Sequence, residues 1–148
     1  MPIELDMMLA SAVASQNGAL VIFGAGWMVR PPNAQAAGPS AVACVVRVPR
    51  DQAGEHQLRL ELLDSDDEIV VINPPDGPGP MIFEAQFPTG GLDRPDITVP
   101  VTAPVAFNLP PFPLARGSQF RWRAFVDGET RESWSLPFRT TPPKSPNQ

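Results

Sequence analysis

Gly117–Thr140 reads GSQFRWRAFVDGETRESWSLPFRT, and its pattern decides the fold class. Phe120, Trp122, Ala124 and Val126 alternate with mostly polar neighbours, the period-two mark of a half-buried strand. Trp134, Leu136 and Phe138 repeat the pattern, so the stretch predicts two strands around an Asp127-Gly128 turn. A two-residue loop would pair Val126 with Glu129 and Trp122 with Ser133. Cross-strand partners share a face, so the return strand would bury Ser133 and Ser135 and expose Trp134, Leu136 and Phe138. That is the wrong face. The sequence therefore requires an odd-length loop or a bulge. Pairing Val126 with Thr130 would set Trp122 opposite Trp134.

Upstream, Ile97, Val99, Val101, Ala103, Val105 and Phe107 alternate with Thr98, Pro100, Thr102, Pro104 and Ala106. Backbone N–H groups two residues apart point the same way, so Pro100 and Pro104 blunt one lateral edge only. This is the signature of an edge strand. Gln57–Asp64 sets Leu58, Leu60 and Leu62 inward and Gln57, Arg59 and Glu61 outward. Ala41–Val48 is apolar on both sides as far as Arg47, as a central strand would be. Ala19–Phe23 reads as a further apolar strand buried on both faces. Gly24-Ala25-Gly26 then marks a bulge or close approach, and Trp27–Val29 continues the strand. Glu68–Ile72 and Met81–Phe87 are shorter strands. Leu5, Met7, Leu9 and Val13 alternate, although Met, Leu and Ala favour helix. A strand is the better reading, with a short helical turn near Ser11–Ser15. Gln16-Asn17-Gly18 is a turn signal. Pro31–Ser40, Pro49–Glu55 and Asn73–Pro80 read as loops, and Pro110–Leu114 as a stiff connector. Eight or nine strands at these spacings predict an all-β, two-sheet antiparallel β-sandwich, immunoglobulin-like or C2-like.

A chain of 148 residues buries roughly 68–70 % of its unfolded surface, enough for one domain without a staple. Residues 1–140 read as that domain and residues 141–148 as a disordered proline-rich tail. Twenty prolines argue against a helical fold. The formal net charge of -5 repels phosphate backbones, so no nucleic-acid partner is expected. One cysteine cannot form an internal disulfide, which fits a reducing compartment. With one histidine beside it, a four-ligand zinc site in a single chain is excluded. The N-terminal stretch carries Ala12-Val13-Ala14, but Glu4 and Asp6 stand where a signal peptide needs basic residues. The sequence thus predicts no signal, no membrane span and a cytoplasmic protein.

Three stretches, NGALVIFGAGW (17–27), HQLRLELLDSDD (56–67) and GSQFRWRAFVDG (117–128), occur in an order that resembles a family of small uncharacterised bacterial β-sandwich proteins, a domain of unknown function. The resemblance runs from about Leu5 to about Arg139. It implies a sandwich fold and carries no catalytic residue. The chain departs from the pattern at Asp66-Asp67, where such a turn more often reads Asp-Gly.

The candidates for chemistry are few. His56 is the one imidazole; a hydrolase built on it would need a nucleophile and an orienting carboxylate close by. The adjacent Glu55 points to the opposite face of a strand. Cys44 lies on an apolar strand, where a thiol is inert and its pKa is raised. Asp64, Asp66, Asp67 and Glu68 form one acidic turn, and Asp127 and Glu129 another, but Ile69 stands where a calcium loop needs glycine. Gly24-Ala25-Gly26 is no dinucleotide fingerprint, because the third glycine position is Val29 and no helix follows. Trp122 and Trp134 fall in the inward register. Trp27, beside glycines and before Arg30, is the tryptophan best placed for exposure. Phe125 is the large apolar residue on the outward side of its strand. These residues give three expectations in order. The first is a non-enzymatic module that binds a protein partner or itself, with Phe125 as the interface marker. The second is a small-ligand or carbohydrate-binding module using Trp27, Arg30 and the adjacent loops. The third is a hydrolase around His56. No cofactor or metal is expected.

Overall fold

A computed structural model of the chain describes residues 2–16, 19–89 and 100–142. It is all-β apart from one helical turn, α1 (Ala34–Ala37), and a 3-10 turn at Arg50–Gln52. The strands are β1 (Glu4–Ala10), β2 (Ala12–Gln16), β3 (Ala19–Phe23), β4 (Val29–Arg30), β5 (Ser40–Val48), β6 (Gly54–Leu63), β7 (Val71–Ile72), β8 (Gly79–Pro80), β9 (Ile82–Thr89), β10 (Val101–Leu109), β11 (Gln119–Val126) and β12 (Ser135–Thr140). They form a three-stranded sheet in the order β1-β5-β10, a five-stranded sheet in the order β4-β12-β11-β6-β9, and the two-stranded pairs β2-β3 and β7-β8. The described residues thus hold four sheets and twelve strands, against the two sheets and eight or nine strands expected. Three of the extra strands, β4, β7 and β8, are two residues long.

One apolar cluster joins the two larger sheets. Leu5, Leu9, Val42, Cys44, Val46, Val105 and Phe107 enter it from the three-stranded sheet. Leu58, Leu60, Leu62, Phe120, Trp122 and Phe138 enter it from the five-stranded sheet. β5 is the central strand that Ala41–Val48 predicts, held by β1 on one side and β10 on the other. Among the described residues β10 pairs with β5 alone and carries Pro104, so the proline-guarded edge is where the alternation puts it. The part of that run at Ile97–Val99 lies outside the described residues, as do Asn17-Gly18 and residues 143–148 of the expected tail. Thr141, assigned to the tail, donates its N–H to the Arg30 carbonyl at 2.9 Å.

The β11–β12 hairpin resolves its conflict of faces with a bulge. Asp127 (φ 53°) and Gly128 (φ 82°) form a two-residue loop of the positive-φ kind, and Val126 bridges Glu129 across it. Unaltered, that register would bury the serines. The return strand takes up three extra residues between Thr130 and Trp134, after which Arg123 pairs with Ser135 and Trp122 with Leu136. Thr130 Oγ1 donates to the Ala124 carbonyl at 2.6 Å and Ala124 N–H to the Trp134 carbonyl at 3.0 Å, closing the excursion. Trp122 therefore faces Leu136 rather than Trp134, yet Trp122, Trp134 and Phe138 are all buried.

Other expectations shift for local reasons. Ser11–Ser15 holds no helical turn; the chain bends at Ser11 and continues as β2. Pro31–Ser40 is not all loop, since Asn33 Oδ1 accepts from Gln35 N–H at 2.8 Å and starts α1. Glu61 is buried rather than outward and solvated, held by Arg59 at 2.7 Å and Arg123 at 2.9 Å. Trp27–Val29 does not extend β3. The chain turns at Gly24, and β4 joins the five-stranded sheet parallel to β12.

Candidate functional site

The largest departure from the sequence expectation is β3. Ala19–Phe23 is a strand, but it is exposed on both faces instead of buried on both. Its construction explains why. The register pairs Gln16 with Ala19, leaving two residues between the strands, and continues through Ala14–Val21 to Ala12–Phe23. At the far end Ser11 N–H donates to the Phe23 carbonyl at 2.9 Å. Gly24 then turns the chain with φ 62°. A Cβ there would stand 2.6 Å from Ser11 Oγ, so the turn requires glycine. This is the close approach that Gly24-Ala25-Gly26 predicts.

Asn108 on β10 fastens the hairpin. Its Oδ1 accepts from Val13 N–H at 3.0 Å and its Nδ2 donates to the Val13 carbonyl at 2.8 Å. A side-chain amide thus does what a neighbouring strand would do for β2. Val13 enters a small cluster with Ala10, Ala41 and Ala43, and Leu20 packs against it. Little else is covered. Val21 and Ile22 are each 37 % exposed and Phe23 60 %, and past the bend Met28 is 63 % and Val29 46 % exposed. Such exposure of large apolar side chains marks contact surfaces. The signal was in β2: Val13, opposite Ile22, is buried in the small cluster, and the other partners of β3 are Ala12, Ala14, Ser15 and Gln16, too small or too polar to bury it.

The residues singled out from the sequence are dispersed. Trp27 is half-buried, edge-on to Phe138 with ring centroids 5.6 Å apart. It lines a cavity of about 270 Å³ with Ser11, Gly24, Arg30 and Gly38. Arg30 is buried. Its Nε donates to the Pro31 carbonyl at 3.0 Å, its Nη2 to the Phe112 carbonyl, and the guanidinium lies 4.6 Å from the Phe112 ring centroid. Burial pulls its pKa down to about 10, which still leaves it charged at neutral pH. Two of its five N–H donors are thus spent on backbone carbonyls of the fold. Phe125 does point outward, but two guanidiniums flank it, Arg123 at 5.0 Å and Arg59 at 5.9 Å, and both arginines hold Glu61. Phe125 is thereby half-covered by its own chain.

His56 acquires a carboxylate that sequence proximity does not reveal. Asp127, at the tip of the β11–β12 hairpin, places Oδ2 2.6 Å from Nδ1, while Nε2 lies 2.7 Å from the Gln52 carbonyl. The ring stacks on Phe87 at 5.6 Å. A carbonyl oxygen only accepts, so Nε2 carries a proton. Both ring nitrogens are thus held by groups of the chain itself. Asp127 is itself engaged, its Oδ1 accepting from Gln57 N–H at 2.9 Å. His56 and Asp127 therefore latch the Arg50–Gln52 turn and β6 to the hairpin tip.

Cys44 is fully buried, and burial pushes its thiol up to about 12. In the acidic turn Asp64 Oδ1 accepts from Asp66 N–H at 2.9 Å and Glu68 N–H at 3.0 Å. Asp67 takes the positive φ of 60° that glycine would otherwise supply, and pairs with Arg121 at 3.0 Å. Among the described residues no three His, Cys, Asp or Glu side chains converge on a metal position. An open groove of about 630 Å³ runs beside this turn, lined by Met28, Val29, Asp67, Arg121, Phe138 and Arg139. No helix among the described residues is long and apolar enough to cross a membrane. No curated protein and no solved structure matches the chain. The chain belongs to the family of unknown function DUF6941, whose family model matches it over residues 5–139.

Proposed function

We propose that this chain is a non-enzymatic binding module acting through protein–protein contacts in the cytoplasm. On this reading the three- and five-stranded sheets are the layers of an immunoglobulin-like or C2-like sandwich. The β2–β3 hairpin is the appended contact surface. The observation that carries the proposal is the exposure of Val21, Ile22 and Phe23 on a strand without a single polar side chain. An exposed apolar strand lowers solubility unless something covers it. The engagement of both ring nitrogens of His56 supports the non-enzymatic part. The interface marker moves accordingly, from Phe125, which its own arginines cover, to Phe23.

The test is recovery of the tagged chain from its host, with stoichiometry read by mass spectrometry for wild type, Phe23→Asp and Phe125→Asp. The proposal expects a stoichiometric complex that Phe23→Asp disrupts and Phe125→Asp spares. A complex indifferent to Phe23→Asp, or no complex at all, would overturn it. A second reading, a small-ligand or carbohydrate module, draws support from the groove beside Met28 and Arg139 rather than from Trp27 and Arg30. It expects a sugar or small apolar ligand to quench Trp27, the residue preceding Met28, with Arg139→Ala weakening the effect.

A further inference from the structure

From the free edge of β3 we infer that the occupant of this surface is a second copy of the chain, joined β3 to β3 in antiparallel register about Val21. The inference deepens the protein-contact reading and rests on it.

The first step concerns which backbone groups are free. In an antiparallel pair, consecutive residues point their N–H and C=O alternately toward and away from the partner. Asn108 takes both the N–H and the C=O of Val13, so Val13 points away from β3. Ile22, its cross-strand partner, must likewise point away from β2, and Leu20, two residues earlier, with it. Among the described residues no strand pairs with that side of β3. Leu20 and Ile22 therefore present two donors and two acceptors along an open edge.

The second step compares the edges. Among the described residues, the outer side of β2 is partly taken by Asn108, which holds Val13, and the other edge strands longer than two residues are guarded. β1 carries Glu4 and Asp6, β10 carries Pro104, and β9 carries Glu84 and Pro88. These are the devices that stop sheets from joining. β3, ALVIF, has no charge and no proline. Two chains of formal charge -5 repel each other, and β3 is where they can meet without setting like charges side by side.

The third step is self-complementarity. Placing Leu20 opposite Ile22 of the second copy makes four backbone hydrogen bonds and puts the two Val21 residues together on the two-fold axis. The same register sets Phe23, the largest side chain of the strand, opposite Ala19, the smallest. Ala19, Val21 and Phe23 share a face, so each Phe23 ring lies over the space its partner's Ala19 leaves. Moving the register by two residues would set Phe23 against Val21 and leave one pair of edge groups unmatched. The result is a continuous four-stranded sheet, β2-β3-β3-β2, across the dimer.

The experiment is sedimentation of the full chain, combined with cysteine pairing on the Cys44→Ala background. Val21→Cys falls on the axis in a non-hydrogen-bonded pair, where Cα atoms are about 4.5 Å apart, within disulfide range. Ala19→Cys lies four residues from its copy, about 13 Å away, and cannot bridge. The expected result is a wild-type dimer at micromolar concentrations, with rapid oxidation of Val21→Cys to a linked dimer and none for Ala19→Cys. Val21→Lys and Val21→Asp should each sediment as folded monomers, their near-UV dichroism unchanged, and an equimolar mixture should recover the dimer. A monomeric wild type, or linkage at Ala19→Cys in place of Val21→Cys, overturns the inference. If the wild type is monomeric but Phe23→Asp still disrupts a complex with another protein, only the second copy is refuted and the protein-contact reading stands.

Discussion

Ala41–Val46, AVACVV, and Ala19–Phe23, ALVIF, are alike in composition and opposite in fate. The first is the buried centre of a sheet, and the second lies open to solvent. The difference is in the neighbours. Val42 stands between Leu9 and Phe107, Cys44 between Met7 and Val105, and Val46 between Leu5 and Ala103. Among the described residues β3 has a partner on one side only, and that partner offers one large apolar residue, Val13, beside Ala12, Ala14, Ser15 and Gln16. A run of apolar residues specifies a strand; the residues brought beside it specify whether the strand becomes core or contact surface.

The sharpest way to break this contrast is to place the same charge in each strand. Val46→Asp buries an unpaired carboxylate in the main cluster and should cost more than about 4 kcal/mol, a large share of a typical domain's stability. Val21→Asp should change the stability of the monomer by no more than about 0.5 kcal/mol. Urea unfolding followed by tryptophan emission measures both, and similar losses would mean that β3 belongs to the core after all. Next in size is Asn108→Ala, which strips the N–H and C=O of Val13 of their partner. The part-buried site should lose about 1–3 kcal/mol. Hydrogen exchange should locate the loss, with β2 and β3 amides exchanging faster while those of β5 stay protected. Uniform acceleration would show that the hairpin is no separate unit.

A smaller loss than that at Asn108 is a pH dependence confined to β5. The Cys44 thiol is raised from an ordinary 9 to about 12 by burial. Above pH 9 the unfolded chain loses this proton while the folded chain keeps it, so the unfolded state binds fewer protons and stability falls as pH rises. Between pH 9 and 10 the loss should be about 1 kcal/mol, and Cys44→Ala should abolish it. The chain has no tyrosine, which keeps that window clear of phenol titration. A wild-type profile as flat as that of the alanine variant would show that water reaches the thiol.

Much of the fold was legible because it rests on local alternation. The inward set of β6, the edge character of β10 and the need for a bulge before β12 all follow from which residues share a face. The candidate site was less legible, because exposure of β3 depends on a side chain 95 positions away from Val13. The same holds for the singled-out residues. Arg30 is claimed by the Phe112 carbonyl, Phe125 by Arg59, and His56 by Asp127, and none of these partners is near in sequence. Spacing along the chain finds the strand on which a residue lies, whereas its chemical availability is decided by what arrives from elsewhere.

The Asn108 amide also sets a schedule for the nascent chain. Synthesis proceeds at about 5–20 residues per second, so residue 108 is made roughly 5–20 s after Val13, its partner 95 positions earlier. The β2–β3 hairpin needs only local contacts and can close within microseconds. An isolated hairpin is marginal in water. Until the clamp arrives, the most apolar edge of the protein opens and closes many times beside the ribosome. Neighbouring chains of one polysome then carry the same open strand at high local concentration, and the Ala19-to-Phe23 register that would join two finished copies is available to two unfinished ones.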